Sequence, residues 1–207
     1  ISRKYGFHWN VAAVCGKTLE EAHYKIKTML GVSEESYSHC TASPIYGTGQ
    51  GSRNSPTCWL LMCSTLFDCY ETQAYGASYE SVDGETTIRL YMAGFVDGNA
   101  GQVNLFGANE PPSPEQLLER MEHDAQLWAD ILWESGGDLE LPKCSYHFIH
   151  FQFAPDGKPD MQGGHVGPAI EFDDDLTGHK ICIPRKSVFD SHKTLGHYKA
   201  PAGNSYT

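Results

Sequence analysis

The stretch IYGTGQGSRNSP, residues 45–56, and the apolar run CWLLMCSTLFDCY after it, residues 58–70, decide the fold of this chain. Three glycines lie within five residues of the first stretch, and glycine allows positive φ angles and close backbone approach. Ser55 followed by Pro56 is typical of a helix start, because the serine oxygen caps free N–H groups and proline has no N–H to satisfy. We therefore predict a loop, then an apolar helix that is covered on most sides and ends at Gly76.

A second apolar segment, LYMAGFVDGNA at residues 90–100, follows a polar turn. Residues 86–95 and 100–106 are rich in strand-forming side chains, so they predict two strands, and residues 96–99 between them predict a hairpin turn. This turn would hold Asp97 at an exposed hairpin tip. Without any family comparison, turn formation explains an aspartate here as well as metal binding does.

Other segments carry helix or strand patterns. Apolar residues recur at helical spacing in residues 10–30 and in residues 113–135, and the second segment begins with a capping box at Ser113. Alternating apolar residues predict strands in residues 139–153 and 181–183. Together these elements predict an α+β fold, with an antiparallel sheet of hairpins and two or three long helices packed on one face of the sheet.

Charged residues and histidines form several local groups. We interpret the acidic face of the helix over residues 113–135 as solvated, and the acidic residues 171–175 as a loop that lacks the alternating oxygen ligands of a calcium site. His147 and His150 do not share a strand face, which argues against a zinc site. Residues 185–199 are locally basic and resemble a nucleic-acid surface, although a solvated basic face is the commoner explanation.

The composition is that of an ordinary globular protein, with 207 residues of which 40% are hydrophobic and 20% charged. A net charge of −11 argues against broad non-specific binding to nucleic acid, which normally needs a basic surface. The seven cysteines include no CxxC pair, which predicts reduced, buried thiols rather than a disulfide framework. No signal peptide or membrane-spanning run is visible, so we expect an intracellular protein of the cytoplasm or nucleus, away from membranes.

Taken in order, the tripeptide at 50–52, the Ser-Pro at 55–56, the apolar helix and the turn containing Phe95-Val96-Asp97 resemble motifs B and C of the reverse transcriptase palm. The surrounding residues are most similar to reverse transcriptases of retroelements in diatoms and other marine microbes. The resemblance implies a polymerase palm-like fold and RNA-directed DNA synthesis. It also implies binding of an RNA or DNA template-primer and deoxynucleotides, with Mg²⁺ or Mn²⁺ as the cofactor.

The resemblance gives catalytic roles to two residues. Asp97 matches the first aspartate of motif C, a metal ligand in the family, and metal-bound carboxylates suit nucleotidyl transfer because the metals stabilise the attacking and leaving oxygens. Gly98 stands where the family has its second aspartate, so we expect catalysis to be impaired. Lys143, which follows two glycines and alternating leucines, resembles the motif D lysine that is proposed to protonate the departing pyrophosphate.

Two further segments receive binding roles from the same resemblance. Gln50, Gly51 and Ser52 match the motif B loop, which lies against the incoming nucleotide and the template. Leu195 and Gly196 resemble motif E, the primer grip.

The resemblance also divides the chain into domains. Residues 1–153 correspond to a partial palm with motifs B, C and D, and residues 154–207 to a β-rich extension with the primer grip, at the start of a missing thumb. The motif A aspartate would precede the first helix, where there is no candidate. Because the sequence starts with Ile1 rather than methionine, we expect a fragment. Because motif A is missing and Gly98 replaces the second aspartate of motif C, we expect that it polymerises nothing by itself.

Two other interpretations stay open. The chain is either a non-catalytic retroelement relic, or a repurposed domain whose acidic helical face binds a basic protein. Alternatively, it is an unrelated nucleotide-binding enzyme that uses residues 47–52 as a phosphate loop, although this segment lacks the Gly-Lys-Ser/Thr ending of a P-loop.

Overall fold

The computed structural model of this protein describes residues 6, 8–38, 40, 55–95, 98–105, 113–162, 169–174, 178–194 and 197–203. The chain divides into two compact units, residues 1–69 and residues 70–207. The domain boundary expected after residue 153 stays a prediction.

The first unit begins with helix α1, Trp9–Glu20, and continues with four very short strands. Strand β1, His23–Tyr24, pairs antiparallel with β4, Tyr37–Ser38, and between them β2, Lys27–Thr28, pairs with β3, Gly31–Val32. The helix predicted over residues 10–30 is therefore wrong beyond the end of α1.

The apolar residues that favoured a longer first helix are not buried. Ile26, Met29 and Leu30 expose 61%, 99% and 96% of their surface. A tight turn occupies this position instead, because the Thr28 hydroxyl accepts a hydrogen bond from the Leu30 amide at 3.1 Å and Gly31 has a φ of 134°. The helical spacing of these side chains therefore does not mark a core-facing stripe.

Helix α2, Ser55–Glu71, starts at the predicted serine, but it ends at Glu71 rather than at Gly76, so the predicted end is wrong. Leu66 and Tyr70 are buried, whereas Leu60 leaves 66% of its surface exposed. The expectation that this helix is covered on most sides is therefore wrong at Leu60.

Two antiparallel hairpins follow α2 in the second unit. Strand β5, Ala77–Glu80, pairs with β6, Thr87–Leu90, and β7, Met92–Phe95, pairs with β8, Gly98–Gly101. The polar turn joins β5 to β6. The sequence predicts a strand at β6 but none at β5. The strand predicted over residues 86–95 is interrupted between β6 and β7, and β8 begins two residues before the predicted start.

Helix α3, Pro114–Glu134, begins with the predicted capping box. The Ser113 Oγ atom accepts a hydrogen bond from the Gln116 amide, and the Gln116 side-chain oxygen accepts one from the Ser113 amide, each at 3.3 Å. Gly136, with a φ of 82°, follows the end of the helix. Local sequence signals therefore set both ends of α3.

The main core of the second unit lies between α3 and a strand pair, β12, Ile170–Asp173, and β13, Lys180–Ile183, which run antiparallel. Its buried side chains are Tyr146, Ile170, Phe172 and Ile183, and α3 packs Leu118, Met121, Ala125 and Ala129 against them.

Strand β12 replaces the start of the acidic loop that the sequence predicts over residues 171–175. Ile170 and Phe172 are 2% and 3% exposed, while Glu171 and Asp173 between them are exposed. This alternation is that of an amphipathic strand with one face on the core. The acidic residues therefore occupy the outer face of a strand, and the loop prediction is wrong at these positions.

The other elements of the second unit are short. The segment predicted as strand over residues 139–153 contains a 3-10 turn, Leu141–Lys143, and two separate strands, β9, Tyr146–His147, and β10, His150–Phe153. The pairs that complete the unit are β9 with β14, Arg185–Lys186, in parallel, and the antiparallel pairs of β10 with β11, Pro159–Gln162, and of β15, His192–Thr194, with β16, His197–Lys199.

The predicted α+β class is confirmed, because the described residues form three helices and short, mostly antiparallel sheets. These sheets are eight separate strand pairs in the part of the chain that is described, so the continuous sheet with helices on one face is not found there. At two strand edges, side-chain amides form the hydrogen bonds that a neighbouring strand would form. The Asn104 side chain bonds both the N–H and the C=O of Ser78 in β5, and the Gln126 side chain bonds both the N–H and the C=O of Asp173 in β12.

The prediction of buried thiols is wrong. Of the cysteines whose burial is described, Cys40, Cys69 and Cys182 are exposed, and Cys58, Cys63 and Cys144 are half-buried. Among the described helices, none combines the length and the apolar character that crossing a membrane requires.

Candidate functional site

Most residues to which the resemblance gives a role lie outside the described residues, namely Gln50, Gly51, Ser52, Asp97, Leu195 and Gly196. Lys143 is described, and it is exposed at the last position of the 3-10 turn. The geometry of the candidate site is therefore that of the elements that flank these residues in the chain.

The strands next to Asp97 form a paired frame. β7 and β8 are antiparallel, and Phe95 pairs with Gly98, so two residues of sequence separate the last partners of the hairpin. Gly98 is the first residue of β8 rather than part of a four-residue turn, which corrects the predicted turn over residues 96–99. Because glycine has no side-chain oxygen, this strand position offers no second carboxylate.

A close contact with Gly76 holds the connection between β6 and β7. Gly76 has a φ of 63°, and a methyl group on its Cα would lie 2.6 Å from the Cδ1 atom of Tyr91 and 3.1 Å from the carbonyl oxygen of Leu90. The Gln102 amide donates to the Tyr91 carbonyl at 3.3 Å, which extends the pairing of the hairpin beyond β8. Only glycine fits this approach, so Gly76 sets where β7 begins.

A buried carboxylate fixes the segment that contains Gly76. Asp124 on α3 is 3% exposed, and its two oxygens accept hydrogen bonds from the amides of Tyr75 at 2.9 Å and Gly76 at 3.1 Å. The His123 ring nitrogen Nδ1 lies 3.1 Å from the same carboxylate. Since an unpaired buried carboxylate is strongly unfavourable, these donors are what allow Asp124 to be buried.

Tyr70 joins the end of α2 to the same carboxylate. Burial raises the pKa of the Tyr70 hydroxyl most, and the charge of Asp124 together with a hydrogen bond to that carboxylate raises it further. The Tyr70 ring packs edge-on against Trp128, with 5.6 Å between centroids. The phenol is therefore a neutral hydrogen-bond donor to Asp124 throughout the physiological pH range.

The segment after β8 is held by a side-chain amide. The Asn104 Nδ2 atom donates to the Ser78 carbonyl at 2.7 Å, and its Oδ1 atom accepts from the Ser78 amide at 2.9 Å. Arg120 donates to the Asn104 carbonyl at 3.3 Å and places its guanidinium 4.8 Å from the centroid of the Tyr75 ring. These contacts hold the segment that follows β8 against β5 and α3.

The acidic side chains of α3 differ in their exposure and in their hydrogen bonds. Glu115, Glu119 and Glu134 are exposed, as predicted for a solvated face. Glu122 and Asp130 are half-buried instead, because Glu122 accepts from the backbone amide of β12 residue Glu171 at 3.3 Å and Asp130 accepts from Gln126 at 2.7 Å. Within the described ranges, no three His, Cys, Asp or Glu side chains are grouped so as to hold a metal ion.

The sequence interpretation missed Asp124 and Gln126 as organising residues. A usable signal was present, because Asp124 lies within the apolar stripe of α3, between Met121 and Trp128 at helical spacing. An acidic residue on a core-facing stripe is rarely buried unless donors surround it, so the pattern alone pointed to a buried hydrogen-bond acceptor. Its donors, two backbone amides about fifty residues away in sequence, could not be read from that pattern.

Comparisons with protein-family models, with curated proteins and with solved structures find no match to this chain.

Proposed function

We propose that this chain carries a palm segment of a reverse transcriptase, a family whose activity is RNA-directed DNA synthesis on a template-primer. The β7–β8 hairpin, which brackets Asp97 in the chain between the paired residues Phe95 and Gly98, is the observation that carries the proposal. The order of α2, the β7–β8 hairpin and, after α3, Lys143 supports it, because motifs B, C and D follow one another in this order in the family.

The chemistry proposed for the hairpin is divalent-ion binding. In nucleotidyl transfer a metal ion neutralises charge on the attacking and leaving oxygens, and Mg²⁺ often uses one or two carboxylates together with water and substrate phosphates. Asp97 would supply one carboxylate, which fits a weak site, and Gly98 cannot supply another. Lys143, an exposed cation, would donate a proton to the leaving pyrophosphate, and the segment 50–52 would contact the nucleotide.

The experiment that tests the site measures Mn²⁺ binding by electron paramagnetic resonance. The parent chain is compared with Asp97→Asn, with Gly98→Asp and with Asp156→Asn. Gly98→Asp should bind Mn²⁺ about tenfold more tightly than the parent, a gain of about 1.4 kcal/mol, because it restores a second carboxylate beside the first. Asp97→Asn should remove the binding. Asp156 is the matched control, since it is a turn aspartate that forms a 3.0 Å ion pair with Lys158.

One result would count against the proposed metal site, and another against the expected loss of activity. Mn²⁺ affinity that is unchanged in both Asp97→Asn and Gly98→Asp would remove the metal role of the hairpin. In a primer-extension assay with Mg²⁺ the parent chain should give no template-dependent product, and such a product would contradict the expected impairment by Gly98.

The second candidate function is a non-catalytic domain that binds a basic protein through α3. The observation in its favour is that Glu115, Glu119 and Glu134 are exposed on this helix in a chain with a net charge of −11. Binding of a polylysine peptide that Glu115→Gln with Glu119→Gln weakens, in a chain whose hairpin variants bind no Mn²⁺, would favour this function over the first.

A further inference from the structure

A group of basic side chains converges where β9, β14 and β15 meet in the second unit. Lys186 and His147 are partners in the parallel pair of β14 with β9. The Lys186 Nζ atom lies 3.3 Å from the Nδ1 atom of His192, the first residue of β15. All three side chains are half-buried. We call Lys186, His147 and His192 the basic cluster.

The hydrogen bonds of the cluster define which nitrogens remain available. A lysine ammonium has only donors, so the His192 Nδ1 atom accepts and its proton lies on Nε2. The His147 Nδ1 atom lies 3.1 Å from the Ser187 carbonyl oxygen and donates to it, so the Nε2 atom of His147 is not used in this contact. The remaining ammonium protons of Lys186 and the two Nε2 atoms can therefore face a ligand.

The charges that act on His192 are both positive. Burial lowers the pKa of His192 most, and the charges of Lys186 and His147 lower it further. Among the described residues, no carboxylate forms an ion pair or a hydrogen bond with any member of the cluster. The nearby Asp190 uses its Oδ2 atom to accept from the Ser187 amide at 3.1 Å.

This arrangement is unusual in an acidic protein. The chain has 26 acidic and 15 basic residues, so a half-buried lysine would ordinarily find a carboxylate partner. Facing Lys186 with a neutral imidazole leaves most of the ammonium charge uncompensated. An oxyanion would supply the missing negative charge and several acceptor oxygens at once.

The neighbouring arginine belongs to the opposite face of β14. Arg185 pairs in register with Tyr146, and its guanidinium lies 4.9 Å from the centroid of the Phe148 ring. Because successive strand residues point to opposite faces, Arg185 serves the core side and Lys186 the cluster side.

We propose that the basic cluster is a binding site for a phosphate group, either free or part of a polynucleotide backbone. Lys186 donates to the phosphate oxygens, and the imidazole of His192 turns from accepting the lysine proton to donating to the phosphate as it becomes protonated. His147 adds a further donor when it is protonated. This inference stands on the cluster itself and does not require that the chain is a polymerase segment.

The test titrates the 207-residue chain with inorganic phosphate at constant ionic strength, with binding followed by calorimetry. Lys186→Gln and His192→Gln should each weaken phosphate binding about tenfold, because each removes a charge-assisted hydrogen bond. Lys158→Gln is the matched control, since it removes a lysine charge from the exposed turn between β10 and β11 and should leave the affinity unchanged.

A second measurement needs no variant. The pKa of His192, followed by NMR of its ring protons, should rise when phosphate is added, because the anion favours the charged imidazole over the effects of Lys186 and His147. Absence of this rise, or equal loss of affinity in Lys158→Gln and Lys186→Gln, would overturn the proposal.

The source of the phosphate is resolved by competition. An oligothymidylate single strand that displaces inorganic phosphate from the parent, but binds Lys186→Gln more weakly, would identify the ligand as a polynucleotide backbone. Inorganic phosphate that binds while the oligonucleotide does not compete would identify a free or small-molecule phosphate. Both results support the phosphate site, and neither depends on Mn²⁺ binding at the hairpin.

Discussion

At the scale of single residues, Asp124 and Gly76 together hold the segment between α2 and β5 in place. The two carboxylate oxygens of buried Asp124 accept hydrogen bonds from the amides of Tyr75 and Gly76. Because Gly76 has no side chain, the Tyr91 ring can pack closely against the segment that follows α2. The pair thereby couples α3 to the start of β5 and to the connection before β7. The consequence is that the segment against which Tyr91 packs, before the β7–β8 hairpin, is fixed by hydrogen bonds to Asp124.

Replacing Asp124 with asparagine should destabilise the second unit by about 2 kcal/mol, because an NH₂ group would then face a backbone N–H with no acceptor between them. Urea unfolding followed by tryptophan fluorescence measures the loss, since Trp128 packs against Tyr70 in the same region. Glu119→Gln is the control, as it neutralises an exposed carboxylate on the same helix. Equal unfolding midpoints for Asp124→Asn and the parent would contradict this role of Asp124.

Gly76→Ala and Gly84→Ala should differ in stability even though both glycines have positive φ angles, 63° and 72°. A methyl group at Gly76 would meet the Tyr91 ring at 2.6 Å, whereas at Gly84 the nearest atom is a Glu80 side-chain oxygen at 3.5 Å. Both changes carry the backbone cost of about 1 kcal/mol, and only Gly76→Ala adds about 1–3 kcal/mol of overpacking. Thermal unfolding of the two variants measures the difference, and similar melting temperatures would argue against a tight contact at Tyr91.

At the scale of elements, α3 provides contacts that neighbouring strands provide in a continuous sheet. It packs apolar residues on β12 and β13, and its polar side chains accept hydrogen bonds from backbone amides of β12 and of the segment before β5. Gln126 illustrates this, since it both accepts from the Asp173 amide at 2.7 Å and donates to the Asp173 carbonyl at 3.0 Å. An exposed strand edge invites pairing with another chain, so this closure also protects β12.

Gln126→Ala should open the edge of β12. The Asp173 amide would lose its acceptor, and its hydrogen exchange measured by NMR should become at least about tenfold faster, as expected for loss of one hydrogen bond of about 1.4 kcal/mol. Glu119→Ala, an exposed change on the same helix, should leave this amide unchanged. Unaltered exchange at Asp173 in Gln126→Ala would mean that another group closes the edge.

At the scale of the whole molecule, charge and pH affect stability through the basic cluster. The pKa of His192 is lowered from its ordinary value of 6.5, chiefly by burial and then by Lys186 and His147. The unfolded chain therefore binds more protons than the folded chain at any pH between the lowered pKa and 6.5. It follows that the free energy of unfolding rises with pH over this window and levels off above it.

His192→Gln should flatten this part of the pH profile. Chemical unfolding of the parent and the variant at a series of pH values measures the difference between their free energies of unfolding. This difference should shift in favour of the parent as the pH rises toward 6.5 and then stay constant. A difference that is independent of pH across the window would show that His192 titrates alike in the folded and unfolded chains.

Local chemistry in the sequence determined the features that depend on near neighbours. The starts of α2 and α3 were predictable because Ser55-Pro56 is a typical helix start and the Ser113 capping box satisfies free amides within one turn. These signals require no knowledge of distant parts of the chain.

Only the tertiary structure decided the features that depend on distant partners. Met29 and Leu30 have helical spacing but no core to face, and β12 is a strand because α3 and β13 cover Ile170 and Phe172. The amide donors to Asp124 and the pairing of Lys186 with His147 likewise bring together residues that are far apart in the sequence. Burial and long-range hydrogen bonding are properties of the folded chain. A local sequence pattern shows one residue of such a contact, whereas its partner lies in a distant part of the sequence.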